Sequence, residues 1–296
     1  MSGVQSVEAP KDESGTFQAI LQLTKPRVTR LVVATSLCGG IMAPGPAEPS
    51  RLILSLLATA VVVGSANALN MYLERESDAA MERTRMRPLP SGRLSPDVAL
   101  WFGILSGALG LLLLALVANV LAAALAAIAW LCYVLVYTPL KSVTSLALFV
   151  GAVPGALPPL IGWAAMAGSL DATAFSVFAF LFVWQIPHFL AIAVFRRDEY
   201  KNAGIQVLPA VHGIQVTKTI TVVTALLATF VSAVPYLVGF LSTAYLVVAL
   251  VFGTVFVAWA AAGFWSKNPE NWARSLFFAS LPYLVLVYGI MVAAAA

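Results

Sequence analysis

The 296-residue chain is poor in charge, with 10% charged and 60% hydrophobic residues. A soluble globular domain carries roughly 25% charged residues. A chain with so few cannot keep its apolar surface away from water, so the composition excludes a water-soluble fold. Apolar runs near the ~20 residues that cross a bilayer recur along most of the sequence. The sequence therefore predicts a polytopic membrane protein with the lipid bilayer as its surroundings.

Cysteine and histidine are also scarce, with two residues of each. Cys38 and Cys132 lie inside apolar runs, without the spacing of a disulfide framework or a metal site, and we interpret them as packing residues. The 17 Lys and Arg residues outnumber the 13 Asp and Glu residues. Membrane topology accounts for this excess, so nucleic acid is not expected as a partner.

The hydropathy pattern predicts an all-α integral membrane protein of about nine transmembrane helices around a central cavity. We place the spans at 28–44, 52–73, 98–117, 119–138, 144–166, 172–195, 218–239, 241–263 and 274–294. Arg51 alone lies on the odd-numbered connections, whereas the other 16 of the 17 cations lie at the N-terminus or near the even-numbered ones. Since cytoplasmic loops are rich in Lys and Arg, the N-terminus is predicted to be cytoplasmic.

We expect two parts in the chain, a cytoplasmic N-terminal segment (1–27) and a single membrane domain (28–296). Two long charged connections, 74–97 and 196–217, lie on the predicted cytoplasmic side, where a site is expected. Each follows an even-numbered span, which suggests a weak internal repeat with one charged loop in each half. Similar charged loops also arise by chance in membrane proteins.

The fifth predicted span is rich in proline. Pro154, Pro158 and Pro159 lie inside it, which predicts a break in its helical hydrogen bonds. Irregular backbone at membrane depth is tolerated where protein or a cavity covers it, so we expect this span to line the central cavity. A helix that is merely kinked is the alternative.

The end of the second span carries the residues best suited to chemistry. Asn70, Glu74 and Asp78 are four residues apart and lie on one helical face. Their oxygen atoms suit Mg²⁺, which takes one or two carboxylates and completes its shell with water and phosphates. Arg83, Arg85 and Arg87 follow, and guanidinium groups bind phosphate oxygens in a bidentate manner. The pattern predicts a Mg²⁺-diphosphate site, with a solvated charged helix end as the alternative.

These residues resemble the first Asp-rich motif, N-x-x-x-D-x-x-x-D, of the intramembrane UbiA-type prenyltransferase superfamily. The residues after the motif resemble the branch that farnesylates haem, as do further blocks along the chain: Met81, Arg83, Thr84, Arg87 and Pro88, then 23–27, 137–141, 155–163 and 184–189. The resemblance covers residues 23–209. It implies a multi-pass enzyme of the bacterial inner membrane, with Mg²⁺ as cofactor, that transfers a farnesyl group from farnesyl diphosphate to a vinyl group of haem b.

The resemblance also implies catalytic roles for particular residues. Asn70, Glu74 and Asp78 are joined by Tyr137 and Lys141, which resemble the family's Y-x-x-x-K pair. Lys141 is expected to contact the diphosphate, with Tyr137 near the departing oxygen or the allylic carbon. The alternative is that both residues only anchor the span at the membrane interface. Glu74 departs from the family, which usually has Asp at this position.

The second charged loop departs further from the family. Most members have a second pair of aspartates, whereas this chain reads Arg196-Arg197-Asp198-Glu199-Tyr200. We expect Glu74, Asp78 and the second-loop acids to bind the metal, and leave open whether Asp198 or Glu199 does so. His188, an imidazole inside the sixth span, is predicted to contact haem, and His212 less so. The predicted substrate-binding residues are Arg83, Arg87, His188, Arg196, Arg197, Asp198, Glu199 and Tyr200.

Two other functions fit parts of the pattern. A prenyltransferase acting on a quinone or chlorophyll precursor would share the metal site, and the block 184–189 is the main feature against it. A secondary transporter would also have many helices, but transporters place binding sites near the bilayer midplane. The predicted spans contain no Asp, Glu, Lys or Arg near their centres. Docking to haem-using or haem-modifying membrane enzymes is a possible further interaction.

Overall fold

The computed structural model describes residues 13–46 and 48–295. The first twelve residues of the predicted N-terminal segment lie outside this range. The described residues contain helices and no strands, which confirms the all-α prediction. The α-helices are α1 (Glu13–Leu23), α2 (Pro26–Met42), α3 (Pro49–Leu73), α4 (Arg75–Ala79), α5 (Pro96–Val117), α6 (Val120–Leu131), α7 (Thr138–Leu140), α8 (Ala147–Ala167), α9 (Ala172–Phe195), α10 (Arg197–Asn202), α11 (Leu208–Val211), α12 (Gly213–Ser232), α13 (Val234–Leu237), α14 (Thr243–Ala261) and α15 (Pro269–Ala295).

Two shorter segments depart from the α-helical geometry. A π-helical segment (Cys132–Tyr137) joins α6 to α7, and a 3₁₀ turn (Ala262–Trp265) follows α14. Within the described residues, eight helical stretches are long and apolar enough to cross a membrane. The helix at the first predicted span, α2, has 17 residues and is shorter than these eight. The number of nine spans and the cytoplasmic N-terminus therefore stay predictions.

The helices begin where the sequence carries start signals. Pro26, Pro49 and Pro96 occupy first-turn positions, where a missing N–H costs nothing. Ser95 and Asp171 act as N-caps, because their side chains accept hydrogen bonds from backbone N–H groups in the first turns of α5 and α9. These local signals explain why most predicted spans begin within a few residues of the observed helices.

Helix α9 is largely buried and packs against α8, α12 and α15. Two buried polar side chains tie it to its neighbours. Trp184 Nε1 donates a hydrogen bond to the carbonyl of Ser280 on α15, at 2.9 Å. Gln185 Nε2 donates to the carbonyl of Ala152 on α8, at 2.8 Å. Each bond satisfies a polar group that would be costly to bury unpaired, so the position of α9 is fixed on two sides.

The fifth predicted span is not broken. It forms one continuous helix, α8, which contains all three prolines: Pro154, Pro158 and Pro159. The predicted irregular backbone is therefore wrong, and the alternative, a helix that runs through the prolines, is what the structure shows. Helix α2 covers the proline face, and its Gly39 lies so close to the Pro159 carbonyl that a β-carbon at Gly39 would overlap it. Each proline removes the donor of one helical hydrogen bond, and such backbone is tolerated at membrane depth where protein covers it.

Candidate functional site

Helix α3 ends at Leu73, and at the next residue, Glu74, the backbone leaves helical geometry (φ −91°, ψ 7°) before α4 begins. The hydrogen-bond register nevertheless continues across the break. The N–H of Glu74 donates to the carbonyl of Asn70 at 2.9 Å, and the N–H of Asp78 donates to the carbonyl of Glu74 at 2.8 Å. Asn70, Glu74 and Asp78 consequently line one cavity of about 270 Å³.

The cavity walls come from both halves of the chain. Four cations and two carboxylates line it, namely Lys25, Arg83, Arg87, Lys141, Glu74 and Asp78. Ala147, Leu148 and Gly151 of α8 form part of the wall, so this span lines the cavity as predicted, through its first turns. Phe189 and Ile192 of α9 add apolar surface. The cavity therefore combines positively charged side chains with an apolar wall, which suits a ligand with an anionic group and a long hydrocarbon chain.

Two short ion pairs cross the cavity. Lys141 Nζ lies 2.6 Å from Glu74 Oε1, and Arg87 Nη1 lies 2.6 Å from Asp78 Oδ2. Burial raises the pKa of Glu74, but the nearby positive charges, Lys141 foremost, outweigh it and the pKa is lowered. Burial lowers the pKa of Lys141, but Tyr137 and Glu74 outweigh it and the pKa is raised. Both members of the Glu74–Lys141 pair are therefore charged at neutral pH.

The π-helical segment brings Tyr137 and Lys141 together at the cavity. Such wide turns occur often at functional sites. Lys141 Nζ lies 4.3 Å from the centre of the Tyr137 ring. Gly151 makes room for this ring, because a β-carbon there would lie 2.5 Å from Tyr137 Cε2. The predicted pair thus sits beside Glu74, inside the same cavity.

Lys25 also lies in the cavity, although the sequence did not single it out as a site residue. It adopts a left-handed conformation (φ 46°), uncommon for a residue with a side chain. Its Nζ donates a hydrogen bond to Asn70 Oδ1 at 2.6 Å, and Asn70 Nδ2 donates to Thr138 Oγ1 at 3.0 Å. Burial, followed by the charge of Arg87, lowers the pKa of Lys25 to about 7. The available signal was a cation directly before the proline that starts α2.

The second charged loop separates its two acids. The side chain of Asp198 is 71% exposed and pairs with Arg197 at 2.9 Å. Glu199 pairs with Arg196 at 3.0 Å and with Arg83 at 3.5 Å, and Arg83 also lines the cavity. Glu199 Oε1 is buried and accepts no hydrogen bond. The structure thus places Glu199 near the cavity and Asp198 towards the outside.

The donor set fits a hard divalent cation held together with a phosphate ligand. Among the described residues, no three His, Cys, Asp or Glu side chains are grouped closely enough to form a metal site alone. Mg²⁺ typically takes one or two carboxylates and completes its shell with water and phosphate oxygens. Glu74 and Asp78 supply two carboxylates at the cavity, and Glu199 Oε1 is a nearby buried acceptor without a hydrogen-bond donor.

His188 does not line this cavity. Its Nδ1 lies 2.7 Å from Ser280 Oγ, and its ring stacks on Trp184 at 5.0 Å between ring centres. The ring of Phe277 lies 4.6 Å away on α15. The predicted contact between His188 and haem is neither supported nor excluded by this position, and it stays a prediction. Tyr200, another predicted substrate-binding residue, does line the cavity.

Comparisons with known proteins extend these observations. The UbiA prenyltransferase family matches residues 32–281. The protoheme IX farnesyltransferase of Myxococcus xanthus is 48% identical over 265 residues, covering 90% of each chain. The protoheme IX farnesyltransferase of Aquifex aeolicus is 37% identical, covering 92% of this chain and 93% of that protein.

Solved structures share the fold. A structure of a digeranylgeranylglyceryl phosphate synthase matches with a TM-score of 0.80 at 20% identity, over 94% of this chain and 98% of that one. A UbiA homolog from Archaeoglobus fulgidus, bound to DMAPP and Mg²⁺, matches with a TM-score of 0.73 at 17% identity, over 93% of this chain and 97% of that one. At these identities the likeness establishes the arrangement of the helices.

Proposed function

The chain belongs to the UbiA prenyltransferase family, and from that premise we propose that it transfers the farnesyl group of farnesyl diphosphate to a vinyl group of haem b. The farnesyl carbon bonds to the outer vinyl carbon as diphosphate leaves, and a water molecule then adds to the inner vinyl carbon and loses a proton. One water is therefore consumed, and the products are haem O and diphosphate. The observation that carries this proposal is the cavity in which four cations and two carboxylates converge beside an apolar wall. The identity of 48% to a protoheme IX farnesyltransferase over 90% of the chain supports haem b as the acceptor.

Breaking the allylic carbon–oxygen bond requires negative charge to be stabilised on the departing diphosphate. Glu74 and Asp78 would hold Mg²⁺, with Glu199 as a further ligand from the second loop. Bound Mg²⁺ supplies charge neutralisation at the diphosphate oxygens. Lys141 and Arg87, which pair with the two carboxylates in the structure, are placed to turn their charges to the same oxygens. The predicted family roles of these residues form part of this proposal.

The farnesyl carbocation left after diphosphate departure has to be kept from water until it has bonded to the vinyl group. Leu148, Gly151, Phe189 and Ile192 supply an apolar wall beside the charged end of the cavity. A farnesyl chain lying along this wall would place its reactive carbon near Tyr137, whose ring faces Lys141 and Gly151. The arrangement supports a reaction in which the diphosphate is bound at the charged end and the chain is shielded from solvent.

That the protein crosses the membrane is established, whereas its membrane, its orientation and its partners are proposed. The apolar helices and the bacterial relatives make this a multi-pass membrane protein. We further propose that residues 28–296 form one domain of the inner membrane and that both charged loops face the cytoplasm. Docking to membrane enzymes that use or modify haem is proposed as well. Reporter fusions test the orientation, and a reporter in either loop that reads as periplasmic would contradict it.

The proposed reaction is tested by incubating the purified protein with haem b, farnesyl diphosphate and Mg²⁺. We expect a product with the mass of haem b plus a hydrated farnesyl group, and chelation of Mg²⁺ should abolish it. A quinone precursor offered in place of haem b is the matched control. Farnesylation of the quinone precursor without farnesylation of haem b would overturn the proposal.

A further inference from the structure

A lysine is buried at the end of the bundle that carries the charged loops. Lys218 lies in the second turn of α12, one residue after the charged loop 196–217, and it is only 5% exposed. It is not among the residues that line the reaction cavity. Among the described residues, Lys218 makes no ion pair and no hydrogen bond. Lysine is almost never buried to this degree without a paired acid, so its charge calls for a partner from outside the chain.

An aromatic ring supports the amine of Lys218. The Nζ atom lies 5.8 Å from the centre of the Trp272 ring on α15, within the range of a cation–π interaction. Trp272 is itself held in place, because its Nε1 donates a hydrogen bond to the carbonyl of Trp259 at 3.1 Å. Gly263 lies so close to Trp272 that a β-carbon at Gly263 would overlap the indole ring. The position of the ring is therefore fixed, and with it the place of the amine.

The amine of Lys218 keeps contact with the surroundings of the protein. In the described part of the chain, the fully buried side-chain nitrogen and oxygen atoms without a hydrogen bond belong to Ser36, Trp163, Glu199 and Tyr283. Lys218 Nζ also has no hydrogen bond but is not one of these atoms, so it is not fully buried. A lysine near the end of a membrane span buries its stem and keeps its amine at the interface. A ligand at the membrane interface can therefore reach this amine.

The 3₁₀ turn (Ala262–Trp265) adds apolar surface at the same end of the bundle, since it packs against both α12 and α15. Its last two residues, Phe264 and Trp265, are 39% and 79% exposed. Lys267 follows the turn and makes no ion pair within the described ranges. Tryptophan and lysine are typical of the level at which lipid headgroups lie. The surface thus offers positive charge beside exposed rings, which is complementary to an anionic head with hydrocarbon chains.

We propose that Lys218 binds the phosphate of an anionic phospholipid, with Lys267 as a second cation and the exposed rings of the 3₁₀ turn against its acyl chains. Lysine binds phosphate as a point charge, and basic pockets between membrane helices hold anionic headgroups. The occupant is a lipid because the amine opens at the membrane interface beside exposed apolar rings. This inference goes beyond the proposed function and does not depend on which acceptor is farnesylated.

The test is a titration of the full-length protein, purified in a neutral detergent, with either phosphatidylglycerol or phosphatidylcholine. Native mass spectrometry counts the lipids that stay bound and gives the affinity for the first one. Both lipids contain a phosphate, but phosphatidylcholine carries no net charge. We expect the wild-type protein to bind the first phosphatidylglycerol more tightly than the first phosphatidylcholine. Added salt should reduce this difference, because it screens the charges at the interface.

Lys218→Gln should weaken binding of the first phosphatidylglycerol roughly fivefold and leave phosphatidylcholine unchanged, whereas Lys218→Arg should retain most of the preference. Lys267→Gln should act in the same direction with a smaller effect. Arg274→Gln is the matched control, because Arg274 is an exposed cation of α15 without an ion pair to any described residue. Its guanidinium lies 5.1 Å from the Phe195 ring, and two residues along a helix place it on another side from Trp272. The affinity of Arg274→Gln for phosphatidylglycerol should change by less than about twofold.

Equal affinity of the wild-type protein for the two lipids would overturn the proposal, whether or not the variants fold. Binding of farnesyl diphosphate and the helical circular dichroism check that each variant is folded. An unchanged affinity of folded Lys218→Gln for phosphatidylglycerol, or an equal loss in Arg274→Gln, would overturn the assignment to Lys218. Glycerol phosphate and a glutamate-rich peptide are titrated in parallel. If either binds through Lys218 while phosphatidylglycerol does not, the occupant is a soluble anion or an acidic protein segment, and the lipid assignment is overturned.

Discussion

The two halves of the molecule share one backbone feature, a long helix interrupted by a single residue and followed by a short helix, but carry different side chains there. Helix α3 is followed by one non-helical residue, Glu74 (φ −91°, ψ 7°), and then by the short helix α4. Helix α9 is followed by one non-helical residue, Arg196 (φ −113°, ψ 13°), and then by the short helix α10. In both halves a long helix stops at one residue near the bridge region of backbone geometry and then resumes. This likeness supports the weak internal repeat suggested by the sequence.

The residues in corresponding positions differ in charge. Four residues before and after Glu74 stand Asn70 and Asp78, and all three line the cavity. Ile192 lies four residues before Arg196 and Tyr200 lies four residues after it, and both line the cavity. The first half thus places oxygen ligands where the second places an apolar and an aromatic side chain. In the proposed function the first half would therefore carry most of the metal binding, and Glu199 would contribute from a position that does not correspond to Asn70, Glu74 or Asp78.

The largest expected effect tests the first half directly. Asp78→Asn keeps the shape of the side chain but removes the charge that pairs with Arg87 at 2.6 Å and that would hold Mg²⁺. We expect kcat to fall by about 10²–10³-fold, with the protein still folded. The measurement is steady-state farnesylation of haem b across a range of Mg²⁺ concentrations.

The matched control for this change lies on the same short helix. The side chain of Glu76 is 89% exposed and pairs with Arg75 at 3.5 Å, outside the cavity. Glu76→Gln should therefore keep kcat within about twofold. Normal turnover of Asp78→Asn at ordinary Mg²⁺ concentrations would refute the metal-binding role of the first half.

The sequence predicted that Asn70, Glu74 and Asp78 lie together, and the structure places all three at one cavity. This could be predicted because the signals are local, whereas the roles of the three residues stay predictions. The spacing of Asn70, Glu74 and Asp78 requires one helical turn between neighbours, and the hydrogen-bond register preserves that spacing through the end of α3. The starts of the helices could also be predicted from the sequence, since first-turn prolines and N-caps act within a few residues.

Features that depend on packing between segments far apart in the chain could not be predicted from the sequence. The continuity of α8 through its three prolines depends on α2 covering that face, with Gly39 against Pro159. The place of Lys25 depends on its hydrogen bond to Asn70, 45 residues away. The contrast between Asp198 and Glu199 depends on Arg83, which comes from the other charged loop. A sequence pattern gives residue types and local spacing, but not these distant neighbours.

The next effect concerns Lys25, which binds to the first half through Asn70. Its pKa is lowered to about 7, so above that pH the amine is neutral in the protein without substrate. A bound diphosphate favours the charged form, so binding takes up a proton above pH 7 and the affinity falls as pH rises. Below pH 7 the amine is already charged, and this contribution is constant.

Comparison with Lys25→Arg isolates this contribution, because a guanidinium stays charged throughout the range. The ratio of wild-type to variant affinity for farnesyl diphosphate should be constant below pH 7. Above pH 7 it should fall by up to about tenfold per pH unit. Titration of the diphosphate itself affects both proteins equally and cancels. The measurement is a binding titration from pH 6 to 9, and a ratio that does not change with pH would disprove the assignment.

A smaller effect is expected from the second half. Glu199→Gln removes the half-buried carboxylate that pairs with Arg83 and Arg196. Its Oε1 atom is buried and accepts no hydrogen bond. If Glu199 assists in holding Mg²⁺, the concentration of Mg²⁺ for half-maximal activity should rise by roughly tenfold, while kcat at saturating Mg²⁺ changes little. A loss of kcat as large as that of Asp78→Asn would show that the two halves share the metal equally.

The smallest effect is expected from Asp198, the acid next to Glu199. It tests whether the metal ligand in the second loop is chosen by its place in the structure. Asp198 is adjacent to Glu199 in the chain, but its side chain is 71% exposed and its partner, Arg197, is 41% exposed. The hydrogen bond from Arg197, followed by its charge, lowers the pKa of Asp198, so the carboxylate is ionised at neutral pH. An exposed charge is screened by water and salt.

Asp198→Asn should therefore change both kcat and the Mg²⁺ requirement by less than about twofold, measured beside Glu199→Gln in one preparation. A Mg²⁺ requirement raised more by Asp198→Asn than by Glu199→Gln would reverse the assignment, because the exposed acid would then have to turn inwards when substrate binds.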